Sequence, residues 1–276
     1  MNAPTYLKRM KYCRNMKVGF LQFNPAFGKV DENLKKVKAL INASTCDLLV
    51  LPELFTTGYT FKTKTEVIKF GESVPNGKTA KFLKRISTEK KMSIVGGFVE
   101  RDGKKVYNSS FLFLENGRHY VYRKKHLYRY EKRLFDTAYE PYRVFLLNNG
   151  VKVGLIICFD WLFPEAIRRL ALLGAQIICH PANLVMSYCQ DAMITRALEN
   201  RVFIITANRT GTEKRGRFEN RFTGMSQIIS PEGRILLRAG EDNEIVSVVT
   251  INTVAALNKF LNPLNNIFED RRKDLY

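Results

Sequence analysis

Two stretches of the chain carry the same order of apolar and polar positions. VGFLQFNPAFGKVDENLKKVKALINASTCDLLVLPEL (18–54) opens with an apolar run and passes through a polar loop. It then places Leu34, Val37, Leu40 and Ile41 at helical spacing and ends in a second apolar run before Pro52. VGLIICFDWLFPEAIRRLALLGAQIICHPANL (153–184) repeats that order, with Ile167, Leu170 and Ala171 on the inward face of its helix, Gly174 as the stop and Pro181 after the second run. Each stretch predicts a β-α-β unit. DLLVLPE and AQIICHP do not alternate between apolar and polar residues, as expected of strands covered on both faces.

Between the two units, SIVGGFVE, SSFLFLE and HYVYRK read as short strands. Asp102-Gly103 and Asn116-Gly117 supply hairpin turns between them. The spacing predicts a further helix over 190–201, then a strand in FIITAN and a late hairpin around Pro231-Glu232-Gly233. The predicted architecture is an α/β sandwich with a mixed sheet. No Pro/Ser-rich linker or low-complexity segment divides it, so 1–276 reads as one domain, with a basic N-terminal extension (1–15) and a C-terminal tail (258–276).

Composition narrows the class. A chain of 276 residues with 45% hydrophobic content can build a substantial core. No apolar run approaches the roughly 18 residues that cross a bilayer, and MNAPTYLKRMKYCRNMK lacks a signal peptide's apolar centre, so a cytoplasmic location is expected. Five cysteines without a C-x-x-C pair, and three histidines without zinc-ligand spacing, argue against a disulfide framework or a metal site. The net charge of +19 implies an unselective pull on polyanions at low salt. The basic residues are spread along the chain and no recognition helix, zinc finger or aromatic RNA-binding signature accompanies them. A nucleic-acid-binding protein on an α/β scaffold is therefore the non-enzymatic alternative rather than the leading reading.

In α/β sheets reactive groups gather beyond the carboxyl ends of the strands. Glu53 follows DLLVLP, Lys124 follows HYVYR, and Cys158 follows VGLII. Taken alone, Glu53 reads as a strand-end carboxylate, Lys124 as a surface lysine and Cys158 as a packed core thiol. Together, a carboxylate, an amine and a thiol at equivalent positions make a plausible catalytic set.

LPELFTTGY, YRKKHL and CFDWLFPEA, continuing through HPANL and RALENR, resemble the motifs of the nitrilase superfamily of carbon-nitrogen hydrolases, in particular its short single-domain branch. The resemblance implies a four-layer α-β-β-α sandwich, no cofactor, and a Glu53–Lys124–Cys158 triad. Cys158 is then the nucleophile, its thiolate favoured by the nearby ammonium and the start of the next helix. Glu53 is the general base, and Lys124 with the backbone N–H of Phe159 holds the oxyanion. Glu131, in HLYRYEKRLF, would orient substrate and lysine. His126 would support the site from behind rather than form a Cys-His dyad. Phe55, Tyr59, Trp161 and Asn183 are candidates to line the pocket. Thr137-Ala138 stands where the family often has Pro-Gly, which puts the substrate more in question than the triad.

The expected reaction is hydrolysis of a small linear amide or N-carbamoyl compound, with a true nitrilase as the alternative enzyme. The tail residues Phe260, Leu261, Leu264, Ile267 and Phe268 need burial, and the resemblance implies a homodimer or larger homo-oligomer that the tail helps to join. Of the adjacent lysines, strand parity puts Lys124 on the face of Tyr120 and Tyr122, and Lys125 on that of Val121 and Arg123.

Overall fold

The two stretches that read alike become the centres of two different sheets. The computed structural model describes residues 15–42 and 44–275. The first unit comprises β1 (Asn15–Gln22), α1 (Val30–Asn42) and β2 (Leu48–Val50). It is followed by α2 (Lys64–Phe70), α3 (Lys78–Glu89), β3 (Ser93–Asp102), β4 (Lys105–Phe113), β5 (His119–Arg123) and the short α4 (Glu131–Leu134). After β6 (Val144–Leu146), the second unit comprises β7 (Lys152–Leu155), a 3-10 turn (Cys158–Leu162), α5 (Pro164–Leu172) and β8 (Ile177–Pro181). The remainder runs through α6 (Cys189–Asn200), β9 (Phe203–Ala207), β10 (Thr212–Arg215), β11 (Phe218–Arg221), β12 (Gln227–Ile229), β13 (Ile235–Arg238) and β14 (Ile245–Asn252). It ends in a 3-10 turn (Thr253–Leu257), β15 (Phe260–Asn262) and β16 (Asn265–Asn266).

The strand orders are β14-β1-β2-β3-β4-β5 and β13-β12-β9-β8-β7-β6. In each sheet three parallel strands (β1-β2-β3, β7-β8-β9) are flanked by antiparallel ones, so both sheets are mixed. The period of two along a strand sorts the core into layers. Met16, Val18, Phe20, Leu48 and Val50 point between the sheets, sharing one buried cluster with Val153, Leu155, Ile177 and Cys179. Leu21, Leu49 and Leu51 face outward, under Val37 and Ile41 of α1 and Leu83 and Ile86 of α3. On the other side Gly154 faces Leu170 of α5, and α6 packs alongside through Met193 and Ala197. The result is the four-layer α-β-β-α sandwich.

Element bounds depart from expectation only locally. The 190–201 helix is α6, whose end is set by Arg201 in the left-handed conformation. The strand over HYVYRK stops at Arg123, although the Lys124 N–H still bonds to Asn108 O at 2.8 Å. Helices α2 and α3, the β10–β11 ribbon and the edge strand β14 have no counterpart in the sequence reading. Most of the expected N-terminal extension, with Cys13, lies outside the described residues, and Asn15 already belongs to β1. The tail forms the β15–β16 hairpin; Phe268 packs against the main core, whereas Leu261 and Leu264 are exposed. Among the described residues no helix is long and apolar enough to cross a membrane.

Candidate active site

Glu53 leaves the end of β2 on a turn in which Leu54 takes φ +49°. That turn lies against β3, where a Cβ added to Gly97 would stand 2.5 Å from Leu54 N and 2.6 Å from Glu53 Cα. Only a glycine accepts this approach, and it fixes where the carboxylate emerges. The carboxylate is fully buried. Its Oε1 accepts from Lys124 Nζ at 2.8 Å and from Asn108 Nδ2 at 2.7 Å, while Oε2 has no protein partner.

Lys124, also buried, bridges Glu53 and Glu131, with Nζ 2.9 Å from Glu131 Oε1. Glu131 is itself oriented by the Tyr128 N–H, 2.8 Å from Oε2, and by the Tyr59 hydroxyl. Both lysines lie past the end of β5; Lys125 stays apart from this cluster, pairing with Glu140 at 3.2 Å and standing 5.3 Å from the centre of the Tyr122 ring.

Cys158 follows β7 and opens the 3-10 turn that leads into α5, with φ +41°, a strained position for a side-chain-bearing residue. Its surroundings hold that elbow. His180 Nε2 lies 3.0 Å from Cys158 O, with Nδ1 3.1 Å from Thr206 Oγ1. Asp160 accepts from Ile157 N (2.9 Å), the Tyr122 hydroxyl (2.7 Å) and His126 N (2.9 Å), tying the cysteine turn to the segment that carries Lys124. His126 Nδ1 is 2.8 Å from Asp160 Oδ1, and its ring stacks on Phe163 at 3.6 Å.

The electrostatics correct one expectation. The Cys158 thiol is pushed well above its ordinary range, chiefly by burial and then by Glu53; Lys124 and the backbone N–H of Asn183 pull the other way without prevailing. The Cys158 thiol therefore rests neutral. Burial also raises Glu53, against the pull of Lys124. Burial works against the Lys124 charge, but Glu131 and Glu53 outweigh it and leave this lysine firmly protonated. His180 is lowered to about 4 by burial and is neutral.

A cavity of about 480 Å³ opens beside Glu131, bordered by Tyr59, Tyr128, Phe135, Arg217 and Phe218. A crevice of about 20 Å³ reaches Cys158 between Phe159, Trp161, Asn183 and Cys189. Tyr128 borders both. Tyr59, Trp161 and Asn183 thus lie at the site. Phe55 does not: it is fully buried under the helices of the first sheet, against Gly96. Its place in the sequence beside Glu53 is misleading because the turn sends successive side chains in different directions.

Asn108, Asp160 and His180 are functional-site residues that sequence reasoning missed. So is the buried Arg209–Glu213 pair (2.9 Å), whose carboxylate accepts from the N–H groups of Tyr59 and Thr60. Asp160 carried one usable signal, a carboxylate two residues past a strand-end cysteine; the others depend on contacts across the chain. Among the described residues no group of three or more His, Cys, Asp or Glu side chains could hold a metal ion.

Similar proteins match nearly the whole length of the chain. A nitrilase of Pyrococcus abyssi is 44% identical over 264 residues, covering 95% of this chain and 99% of that protein. A 2-oxoglutaramate amidase of Bacillus subtilis is 33% identical, covering 94% and 98%. Among solved structures, a carbon-nitrogen hydrolase from Helicobacter pylori superposes with a TM-score of 0.83 at 22% identity, over 95% of this chain and 97% of that one. The family model described as carbon-nitrogen hydrolase matches residues 17–259, and the chain belongs to that family, within the nitrilase superfamily.

Proposed function

We propose that this carbon-nitrogen hydrolase cleaves small linear amides, or N-carbamoyl compounds, through a thioester on Cys158. The observation that carries the reading is the buried Glu53–Lys124–Glu131 cluster beside a neutral thiol, with Glu53 Oε2 unpartnered. Because the thiol rests protonated, its proton passes to Glu53 as the sulfur attacks the carbonyl carbon. The raised pKa of Glu53 makes it a stronger base than an ordinary carboxylate. Lys124 Nζ and the Phe159 N–H hold the tetrahedral oxyanion, each donor worth roughly 3 kcal/mol when well placed. The Glu53 proton goes to the leaving nitrogen, the C–N bond breaks, and ammonia departs. Glu53 then takes a proton from water, whose oxygen attacks the thioester. The proton returns to sulfur and the carboxylic acid leaves, so that amide and water give acid and ammonia.

A nitrile is the second reading, favoured by the name of the Pyrococcus abyssi relative. The exposed Leu261 and Leu264 of the tail, with Leu162 and Leu198, support assembly as a homodimer or larger homo-oligomer; the proposed location is the cytoplasm and each chain is proposed to act as one hydrolase unit. The deciding experiment is ammonia release from a panel of amides and nitriles. Cys158→Ala should abolish turnover, and Cys46→Ala and Cys179→Ala should remain within a few-fold of wild type. Turnover persisting in Cys158→Ala would contradict the mechanism.

A further inference from the structure

Asn183 follows β8 and is buried in the crevice that reaches Cys158. Its Nδ2 donates to Glu53 O at 3.0 Å. That bond fixes the amide's orientation, since the reverse would set two oxygens against each other. The other end, Oδ1, is then a buried acceptor with no partner in the protein. Buried polar atoms are almost always hydrogen-bonded, and an unfilled acceptor beside a nucleophile points to something the site receives. The crevice of about 20 Å³ has room for one water-sized group.

We infer that Asn183 Oδ1 accepts a hydrogen bond from the N–H of the scissile amide, and that this contact selects amides over nitriles and esters. The inference rests on the amide-hydrolase reading above and assigns the recognition of the leaving nitrogen. A primary amide brings two N–H donors, and one can satisfy Oδ1 while the carbonyl oxygen faces Lys124. A nitrile nitrogen has no hydrogen, so its lone pair meets that of Oδ1. When sulfur adds to a nitrile carbon, negative charge develops on that nitrogen until it is protonated, and the acceptor opposes it. An ester leaves the acceptor unfilled. The contact acts on acylation only, because the leaving group has gone before the thioester is hydrolysed.

The test compares butyramide, methyl butyrate and butyronitrile on the full chain. All three carry the same acyl group, and the amide and ester give the same thioester. Asn183→Ala also removes the bond to Glu53 O, so some loss is expected on every substrate; the ester measures that part. The expected result is that the amide-to-ester ratio of kcat/KM falls about tenfold and the amide-to-nitrile ratio falls at least as far. Hydrolysis of the common thioester, followed after ester acylation, should change equally little whichever substrate formed it. Equal losses on all three substrates would make Asn183 a structural support of the Glu53 turn and overturn the assignment, leaving the amide-hydrolase reading intact. A wild-type chain that turns over the nitrile faster than the amide would also overturn it. Failure of wild type to release ammonia from any amide would remove the underlying reading and this assignment with it.

Discussion

Set side by side, the β1-α1-β2 and β7-α5-β8 units match residue for residue through their strands. Val18, Gly19 and Phe20 pair with Leu48, Leu49 and Val50 as Val153, Gly154 and Leu155 pair with Ile177, Ile178 and Cys179. The neighbouring strands continue the match, so each sheet is a version of the other. The units part company only past the strand ends. After β1 stands Phe23, a core aromatic; at the same place after β7 stands Cys158. After β8 stands Ala182; at the same place after β2 stands Glu53. Each unit thus offers two loop positions, and in the proposed mechanism each uses one for chemistry, the base from the first and the nucleophile from the second. Packing the two sheets face to face brings those positions together, and burial at that seam raises both Glu53 and Cys158.

The comparison can be broken most severely at the lysine, which comes from the edge strand of the first sheet. Lys124→Ala should lower kcat by at least about 100-fold, the loss of one oxyanion donor. Lys125→Ala should stay within a few-fold, since its partner Glu140 is half exposed and such pairs are worth at most about 1 kcal/mol. The reverse ranking, with circular dichroism confirming both folds, would overturn the strand register.

His180 occupies in the second unit the place of Leu51 in the first, and it supports the Cys158 elbow through a bond the first unit does not need. Below pH 6.5 the unfolded chain binds a proton there that the folded chain refuses until about pH 4. Stability present above pH 6.5 is therefore lost as pH falls toward 4, by about 2 kcal/mol at pH 5. Thermal melts should show a shallower decline between pH 6.5 and 4 in His180→Gln than in wild type. Parallel declines would show that His180 is not the titrating group.

A smaller effect sharpens the contrast at the turn that presents the base. Gly97 on β3 corresponds to Ala207 on β9, where the chain after β8 leaves room for a Cβ and Ala182 N bonds to Ala207 O at 2.9 Å. Gly97→Ala should displace Glu53 and reduce kcat/KM about tenfold, because small misplacements of reacting groups are costly. Ala207→Gly should leave activity nearly unchanged. Equal effects would mean that the Glu53 turn tolerates a Cβ.

The strands and helices of both units were legible because their apolar positions recur at periods of two and 3.6, which depend on local geometry alone. The likeness of the units was legible for the same reason, and so were Glu53, Lys124 and Cys158 as residues at strand ends. The thiol's protonation was not: a nearby ammonium and a helix start favour a thiolate, but burial by parts of both sheets decides the balance. Phe55 shows the same limit, since the direction of its side chain is set by a backbone turn against Gly97. Asp160 and Asn108 acquire their roles from partners 23 to 55 residues away along the chain, such as Tyr122 for Asp160 and Glu53 for Asn108.

The central claim is that the second unit supplies the nucleophile and the first the base that activates it. The most direct measurement is a mass spectrum of the protein quenched in acid during turnover of an amide panel, followed by peptide mapping. The account predicts a mass increase equal to the acyl group on the peptide containing Cys158, absent from Cys158→Ala and strongly reduced in Glu53→Gln. Steady ammonia release with the acyl group on another residue, or an undiminished adduct in Glu53→Gln, would contradict it.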